Sequence, residues 1–130
     1  MNNADEARAV AILKVTDISR TIAWWTAIGF RLRGRHPPRP LEPTWCELER
    51  DGFVVQFLAG ETPWSSAPSF TGALYVRPVS VTAVYDEIRD RVVCEWGVEE
   101  RDWGARELVL QDPDGYYVTF TEPMFSDVDR

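Results

Sequence analysis

The pattern of apolar and polar residues at the start of the chain predicts a strand followed by a helix. Residues 10–16 alternate with the period of two that is typical of a half-buried strand. The next apolar residues recur at helical spacing, and they are Ile18, Ile22 and Trp25. Asp17 or Ser19 is expected to cap this helix, and Gly29 is expected to end it.

A second strand over residues 30–35 and a hairpin complete the first half of the chain. Residues 34–43 contain four prolines, which exclude helix and central strand and predict an extended surface loop. Two short runs, 45–49 and 53–58, flank an Arg-Asp-Gly turn and are predicted to pair as a β-hairpin. Residues 61–69 are rich in Pro, Ser and Thr, and we interpret them as a linker.

The second half of the chain repeats this order of elements. Residues 73–79 have the pattern of a strand, and a helix face follows, formed by Val81, Tyr85, Ile88 and Val92. A loop that carries Trp96 and Trp103 is expected next. Residues 107–110 and 116–120 then flank an Asp-Pro-Asp-Gly turn and predict a second hairpin.

The two halves align at one fixed offset of 63 residues. The matched pairs are Asp51 with Asp114, Gly52 with Gly115, Val55 with Val118, Phe57 with Phe120, Ile18 with Val81 and Ser19 with Thr82. A generic α+β sheet explains each Asp-Gly turn but not the shared spacing, so we interpret the chain as two tandem βαβββ modules of the α+β class. The modules are expected at about 8–60 and 71–123, joined by a linker at 61–70, within a single domain spanning 1–130.

Composition places the chain among globular proteins with one core. Its 130 residues are 45% hydrophobic and 27% charged, which excludes the disordered and fibrous classes. No apolar run is long enough to cross a membrane, and the polar first residues lead us to expect a cytoplasmic protein. Cys46 and Cys94 lack the spacing of a metal finger and are expected to be reduced thiols.

The net charge of the chain is −7, and the whole excess lies in residues 66–130, which hold 13 acidic and 6 basic residues. An acidic chain repels the phosphate backbone, so a nucleic acid partner is not expected. A cationic small molecule would be attracted. The acidic residues also have an ordinary explanation, because surface charge keeps a small domain soluble.

Two segments resemble the motifs of a known superfamily. Residues 15–30 read Val-Thr-Asp-Ile-Ser-Arg-Thr-Ile-Ala-Trp-Trp-Thr-Ala-Ile-Gly-Phe, which is similar to a strand, Val-x-Asp, a helix with paired aromatic residues, and Leu-Gly-Phe. Residues 103–115 read Trp-Gly-Ala-Arg-Glu-Leu-Val-Leu-Gln-Asp-Pro-Asp-Gly, which is similar to Trp-Gly-Arg-Glu-Phe followed by Asp-Pro-Asp/Ala-Gly-Asn. Ala105 and Tyr116 depart from the second pattern.

Both patterns belong to the vicinal oxygen chelate superfamily, which contains glyoxalases, extradiol dioxygenases and bleomycin-resistance proteins. The resemblance covers about residues 8–123. It implies two βαβββ modules that form a curved mixed sheet around a cavity. The resemblance does not by itself identify the function, because this fold hosts several chemistries.

Enzymes of this superfamily hold a divalent metal in the cavity with His, Glu or Gln side chains from four strands. The positions that the resemblance assigns to these ligands are Val10, Gln56, Ala73 and Thr119. Of these, only Gln56 has a side chain that could bind a metal. The only histidine, His36, lies in the proline-rich loop. We therefore expect neither a metal nor another cofactor.

The bleomycin-resistance branch is similar in this respect, since its members lack the metal ligands and sequester a planar cationic drug in the cleft of a dimer. They also combine an aromatic residue and Trp in the helix with a Trp-Gly-Arg-Glu segment. Trp24, Trp25 and residues 103–107 are similar to this combination. The resemblance thus implies a homodimer that binds a planar, cationic antibiotic and confers resistance by sequestration.

Strand alternation assigns the side chains that would face such a cavity. The residues expected to bind the ligand are Trp45, Glu47, Gln56, Tyr75, Arg77, Trp103, Glu107, Tyr117 and Thr119. The opposite side is the expected core, with Leu13, Val15, Cys46, Leu48, Val55, Phe57, Leu74, Val76, Val118 and Phe120. Each aromatic residue taken alone is equally consistent with ordinary packing, and Trp64 and Trp96 have no assigned place.

Three functions are therefore compared. The first is the metal-free antibiotic binder. The second is a family enzyme without a cofactor or with an atypical metal site, in which Glu47, Glu107 or Tyr75 would be the acid or base. The third is an accessory protein that binds a biosynthetic intermediate or a protein partner. The missing ligands count against the second function, but the sequence does not separate the first from the third.

Overall fold

The computed structural model describes residues 9–64 and 66–124, and the same order of elements occurs twice. The first module consists of β1 (Ala11–Lys14), α1 (Ile18–Ala27), β2 (Arg31–His36), β3 (Trp45–Arg50) and β4 (Phe53–Leu58). The second module consists of β5 (Leu74–Val76), α2 (Val81–Ile88), β6 (Val98–Arg101), β7 (Ala105–Gln111) and β8 (Tyr117–Pro123). The predicted α+β class with two βαβββ modules is confirmed.

Each module forms its own four-stranded mixed sheet. The strand orders are β1-β4-β3-β2 and β5-β8-β7-β6. The first and last strands of each module are parallel and in equivalent register, since Leu13 lies opposite Phe57 and Val76 lies opposite Phe120. The other neighbouring strands are antiparallel. Among the described residues the two sheets do not pair with each other, so they stay open and do not close around a cavity.

Two features of the second module differ from the sequence prediction. Val98–Arg101, expected to lie in a loop, form the edge strand β6, whose consecutive charged residues lack the apolar alternation of a buried strand. The offset of 63 residues does not hold between β3 and β7. Cys46 lies opposite Phe57, and the equivalent position opposite Phe120 is held by Leu108, which is only 62 residues after Cys46. The turn before β8 is correspondingly longer than the two-residue turn before β4.

Both helices begin at capping residues that the sequence provides. Asp17 is the N-cap of α1, where its side chain accepts a hydrogen bond from the Arg20 amide at 3.1 Å, and Ser80 caps α2 in the same way. The buried face of α2 includes Val84, whereas the predicted Tyr85 is only half-buried. Neither of these described helices has the length and apolar composition that a membrane crossing requires.

The helices pack against one side of the sheets and form a core that both modules share. All ten residues that strand alternation assigned to the core are buried and belong to this cluster. Apolar surface removed from water contributes roughly 25 cal/mol per Å². Because the cluster contains residues of both sheets, its burial stabilises the two modules as one unit.

Trp25 of α1 joins the modules through a buried hydrogen bond. Its indole Nε1 donates to Asp112 Oδ2 at 3.0 Å, and its ring packs against Phe30 and Phe57 with centroid distances of 4.8 Å and 5.1 Å. Burial raises the pKa of Asp112, although the hydrogen bonds from Trp25 and from the backbone oppose this shift. Asp112 Oδ1 also accepts two amides of its own turn at 2.9 Å, so one carboxylate shapes the turn and contacts the helix.

Two further contacts between the modules use opposite charges. Arg50, at the first hairpin turn, pairs with Glu87 of α2 at 2.9 Å and donates to the Ile28 carbonyl at 3.0 Å. Asp114, in the second hairpin turn, accepts a hydrogen bond from Arg20 of α1 at 3.2 Å. Each hairpin turn therefore contacts the helix of the other module.

Gly29→Ala should destabilise the protein more than the matched variant Gly60→Ala. Gly29 and Gly60 have φ values of 92° and 91°. Alanine in this region costs the backbone roughly 1–2 kcal/mol at either site. An added Cβ at Gly60 meets no described atom within 4 Å, whereas at Gly29 it would overlap Arg50 Nη1 and lie 2.7 Å from Glu87 Oε2.

We expect the free energy of unfolding in urea to fall by at least ~1 kcal/mol more for Gly29→Ala than for Gly60→Ala, because the contacts of Arg50 must move. Equal losses for the two variants would mean that the Arg50 contacts do not stabilise the fold.

Candidate functional site

The predicted ligand-binding residues lie on the side of the sheets opposite the helices, in two separate groups. On the first sheet, Trp45 Nε1 donates to Gln56 Oε1 at 3.2 Å, and Gln56 Nε2 donates to Glu47 Oε1 at 2.8 Å. Arg33 lies 3.7 Å from Glu47. These four side chains are half-buried. They form a continuous chain of polar contacts that engages both ends of the Gln56 amide.

The central group of the second sheet is the carboxylate of Glu107 on β7. Glu107 is 3% exposed, and its two oxygens accept from Thr121 Oγ1 at 3.0 Å and from Arg101 Nε at 3.3 Å. A carboxylate at this depth requires such donors. Burial raises the pKa of Tyr75, and the charge of Glu107 and a hydrogen bond to it raise that pKa further. Residues from β5, β6, β7 and β8 thus meet in one polar cluster.

A groove of about 190 Å³ lies over this cluster, and we name it the Trp103 groove. Its lining residues are Tyr75, Arg77, Trp103, Gly104, Ala105, Glu107, Thr121 and Pro123. Trp103 lies in the turn between β6 and β7, where Gly104 has a φ of 82°. The Trp103 indole is exposed, and the Arg101 guanidinium lies 5.9 Å from the centroid of its ring. The groove therefore combines exposed aromatic side chains with a buried polar base.

A second groove, of about 260 Å³, adjoins the first, and we name it the Trp96 groove. Its lining residues are Trp96, Glu99, Arg101, Val109 and Tyr117. The rings of Trp96 and Tyr117 are 6.3 Å apart and inclined at 42°. Arg101 lines this groove and pairs with Glu107 of the Trp103 groove, so one ion pair lies between the two grooves.

The fold brings some of the predicted site residues together and keeps others apart. Trp45, Glu47 and Gln56 share the first sheet. The second sheet and its connections hold Tyr75, Arg77, Trp103, Glu107, Tyr117 and Thr119. Thr119 is buried, opposite Tyr75 on one side and Val109 on the other. The polar contacts of each group, as described above, lie within its own sheet.

Sequence reasoning missed Arg101 and Trp96. Arg101 ends β6, and because that strand was expected to be a loop, its closeness to Glu107 was not foreseen. The sequence did contain a signal for this strand. Residues 99–101 read Glu-Glu-Arg and residues 106–107 read Arg-Glu, and opposite charges that face each other across two antiparallel strands favour a hairpin. For Trp96 there was no such signal, because only the folded connection before β6 brings it to Tyr117.

Two further depressions are lined by residues outside the predicted site. One, of about 350 Å³, extends from Trp24 of α1 to Trp96 and shares Trp96 and Val109 with the Trp96 groove. The other, of about 400 Å³, is lined by Lys14 and by residues 60–62 and 66. Lys14 is buried there, and its Nζ donates to the Gly60 carbonyl.

The four positions that correspond to metal ligands in the superfamily do not fit a metal ion. Val10 and Ala73 have no donor atom in their side chains. Gln56 is engaged by Trp45 and Glu47, and Thr119 is buried. Across residues 9–64 and 66–124, no group of three or more His, Cys, Asp or Glu side chains is arranged to hold a metal.

The thiols also lack the character of catalytic nucleophiles. Burial raises the pKa of Cys46 to about 12, so this thiol stays protonated at neutral pH. Burial raises the pKa of Cys94 as well. Because the thiolate is the reactive form, neither thiol is activated as a nucleophile.

Several solved structures share this fold at low sequence identity. TioX from Micromonospora sp. ML1 is 21% identical and has a TM-score of 0.72, with 90% of this chain and 98% of that chain covered. A bleomycin-binding protein complexed with bleomycin is 21% identical with a TM-score of 0.67, at 89% and 98% coverage. A bleomycin resistance determinant encoded on the transposon Tn5 is 20% identical with a TM-score of 0.65, at 92% and 99% coverage. At these identities the likeness establishes the fold alone.

Family comparison gives the broader relationship. No curated protein matches the sequence. The family described as Glyoxalase/Bleomycin resistance protein/Dioxygenase superfamily matches residues 8–120, which is most of the chain. This match agrees with the two motifs on which the resemblance was based and with the paired βαβββ modules. The protein therefore belongs to the glyoxalase/bleomycin resistance protein/dioxygenase superfamily.

Proposed function

We propose that this protein binds a planar aromatic small molecule, an antibiotic, on its second sheet and protects the cell by sequestering the molecule unchanged. The observation that carries the proposal is the pair of adjoining grooves, each lined by exposed aromatic side chains. Small-molecule sites combine apolar and aromatic walls with a few polar groups. Solved structures of similar fold include bleomycin-binding proteins, which supports a ligand of this class. The free thiols of Cys46 and Cys94 fit a cytoplasmic location.

The exposed aromatic surface gives the energetic reason for a ligand. Tyr75, Trp96, Trp103 and Tyr117 line the two grooves and are 39% to 64% exposed. Contiguous exposed apolar surface commonly marks a binding site. Stacking contributes roughly 0.5–1.5 kcal/mol for an aromatic pair beyond the buried area. A flat ligand that covers both grooves would remove these rings from water and gain this contribution more than once.

A cationic group on the ligand would lie in the Trp96 groove. The side chain of Glu99 is 45% exposed there, beside the rings of Trp96 and Tyr117, and its carboxylate lies 3.6 Å from Arg101, which lines the same groove. A cation over an aromatic ring contributes roughly 0.5–2 kcal/mol, depending on its desolvation. The net charge of −7 would also increase the local concentration of such a ligand.

A second copy of the chain would complete the site. The first sheet carries Trp45, Glu47 and Gln56, whereas the second carries the grooves. Val10 and Ile12, each 37% exposed, add apolar surface to the first sheet. In a two-fold homodimer the first sheet of one protomer would cover the second sheet of its partner, which would bring the two groups of site residues together.

An enzyme of the same superfamily is the second candidate, and one contact favours it. Tyr75 and Glu107 interact at the base of the Trp103 groove, and such a pair can transfer protons. Against this, both Glu107 oxygens already accept hydrogen bonds from the protein. An accessory protein that binds a biosynthetic intermediate would use the same grooves, so the identity of the ligand distinguishes it from a resistance protein.

The purified protein should contain no stoichiometric transition metal and should return its ligand unchanged. Three of the four family ligand positions hold Val10, Ala73 and Thr119, which are poor donors. Elemental analysis measures the metal. A thermal-shift screen of DNA-damaging and peptide antibiotics identifies a ligand, and mass spectrometry after prolonged incubation measures its conversion. One tightly bound zinc, manganese or iron per chain, or a modified antibiotic, would favour the enzyme.

Trp103→Ala should weaken binding of the antibiotic found in that screen by roughly tenfold, because one lost stacking contact is worth about one decade in the dissociation constant. Trp64→Ala is the matched control, since Trp64 is also exposed but lies outside both grooves. Isothermal titration calorimetry gives the dissociation constants. Unchanged affinity in Trp103→Ala would mean that the ligand does not occupy the Trp103 groove.

The protein should be a homodimer at micromolar concentration, with twice the 14.9 kDa mass of the chain in light scattering. Ile12→Glu should shift it to a monomer, because the new carboxylate would be buried in the dimer without a partner. Leu41→Glu in the proline-rich loop is the control, since Leu41 is exposed and lies outside the first sheet. A parent protein that stays monomeric would contradict the proposed dimer.

A further inference from the structure

Arg77 is the charged group of the Trp103 groove that the binding proposal has not used. It follows β5 directly, is exposed to solvent and lines the groove beside Tyr75 and Trp103. Within the described part of the chain, no hydrogen bond or ion pair engages its guanidinium. Five N–H donors of a permanently charged group therefore face solvent at the edge of an aromatic groove.

Glu107, the acidic residue of the same groove, does not neutralise the positive charge of Arg77. Glu107 is buried and already neutralised by Arg101, and its second oxygen accepts from Thr121. The other exposed polar side chains of the groove are the indole N–H of Trp103, which is a donor, and the hydroxyl of Tyr75, which interacts with Glu107. Arg77 is therefore the one charged group of the groove without a partner among the described residues.

We propose that the Trp103 groove binds an aromatic ring that carries an acidic group, with the ring between Tyr75 and Trp103 and the anion on the guanidinium of Arg77. This inference rests on the proposed function and specifies the ligand of that same site. Arginine is suited to this role because its planar donors can hold a carboxylate or phosphate with two parallel hydrogen bonds.

An acidic group on the ligand differs from the purely cationic ligand that the net charge of the protein alone would indicate. Long-range attraction by a chain of charge −7 favours a cation, but this attraction is screened beyond about 10 Å at ordinary salt concentrations. Inside the groove the guanidinium is the nearest free charge. A ligand with an acidic group near Arg77 and a cationic group in the Trp96 groove satisfies both, so the proposed ligand is a zwitterionic aromatic molecule.

The experiment compares three probes of the same ring system: 2-naphthoate, the neutral 2-naphthamide and the cation 2-naphthylmethylammonium. Their dissociation constants are measured by equilibrium dialysis against the intact protein and the variant Arg77→Gln. Arg31→Gln is the matched control, because Arg31 is an exposed strand arginine of the first module and its loss changes the net charge equally.

The parent protein should bind 2-naphthoate roughly tenfold more tightly than 2-naphthamide, the size of one charge-assisted contact. Arg77→Gln should remove this preference and leave the affinity for 2-naphthamide within about twofold, since the stacking contacts stay in place. Arg31→Gln should retain the preference. Added salt should reduce it in the parent protein.

Two results would overturn the proposal: an unchanged preference for 2-naphthoate in Arg77→Gln, or equal affinities of the parent protein for 2-naphthoate and 2-naphthamide. Either result leaves the proposed function standing as long as 2-naphthamide binds and Trp103→Ala weakens it. If none of the three probes binds, the groove does not accept a flat ring, and the binding proposal fails together with this inference.

Discussion

The hydrogen bond from Trp25 to Asp112 is the contact on which the arrangement of the two modules depends. It joins the first helix to the second hairpin turn inside the shared core. A buried carboxylate is strongly unfavourable without donors, and Asp112 receives them from one indole and two turn amides. The two amides belong to the turn itself, whereas the indole belongs to the helix of the other module, so this one bond ties the first helix to the second hairpin turn. Loss of a buried Trp side chain costs on the order of 3–5 kcal/mol, which is a large part of the stability of a domain of this size.

This packing uses one side of each sheet and leaves the other side free. The same alternation that buries Leu13, Val55 and Phe57 directs Ile12 and Gln56 away from the core. The free side of the second sheet carries exposed aromatic residues around the ion pair of Arg101 with the buried Glu107, and the free side of the first carries a polar chain based on Gln56. At the positions that the resemblance assigns to metal ligands, Val10 and Ala73 carry no donor atom, and the Gln56 amide is engaged by Trp45 and Glu47.

Charge acts on two length scales in this protein. The acidic second half of the chain would attract a cationic ligand at a distance, whereas the selection of a bound ligand would depend on the few groups within contact. In the Trp103 groove the carboxylate of Glu107 is already satisfied, so Arg77 is the charge that the proposed ligand would meet. The net charge of the chain would then guide the approach of this ligand and not its chemistry.

The repeat of two modules, ten core residues and every element except β6 could be predicted from the sequence, because alternation and helix capping are local properties of the chain. The edge strand β6 could not be, since its charged residues show no buried face and become a strand only by pairing with β7. The cluster around Glu107 likewise needs side chains from four strands. The sequence by itself determined which residues point away from the core. Only the tertiary structure decided which of them are neighbours, because strand order and register, rather than distance along the chain, bring side chains together across a sheet.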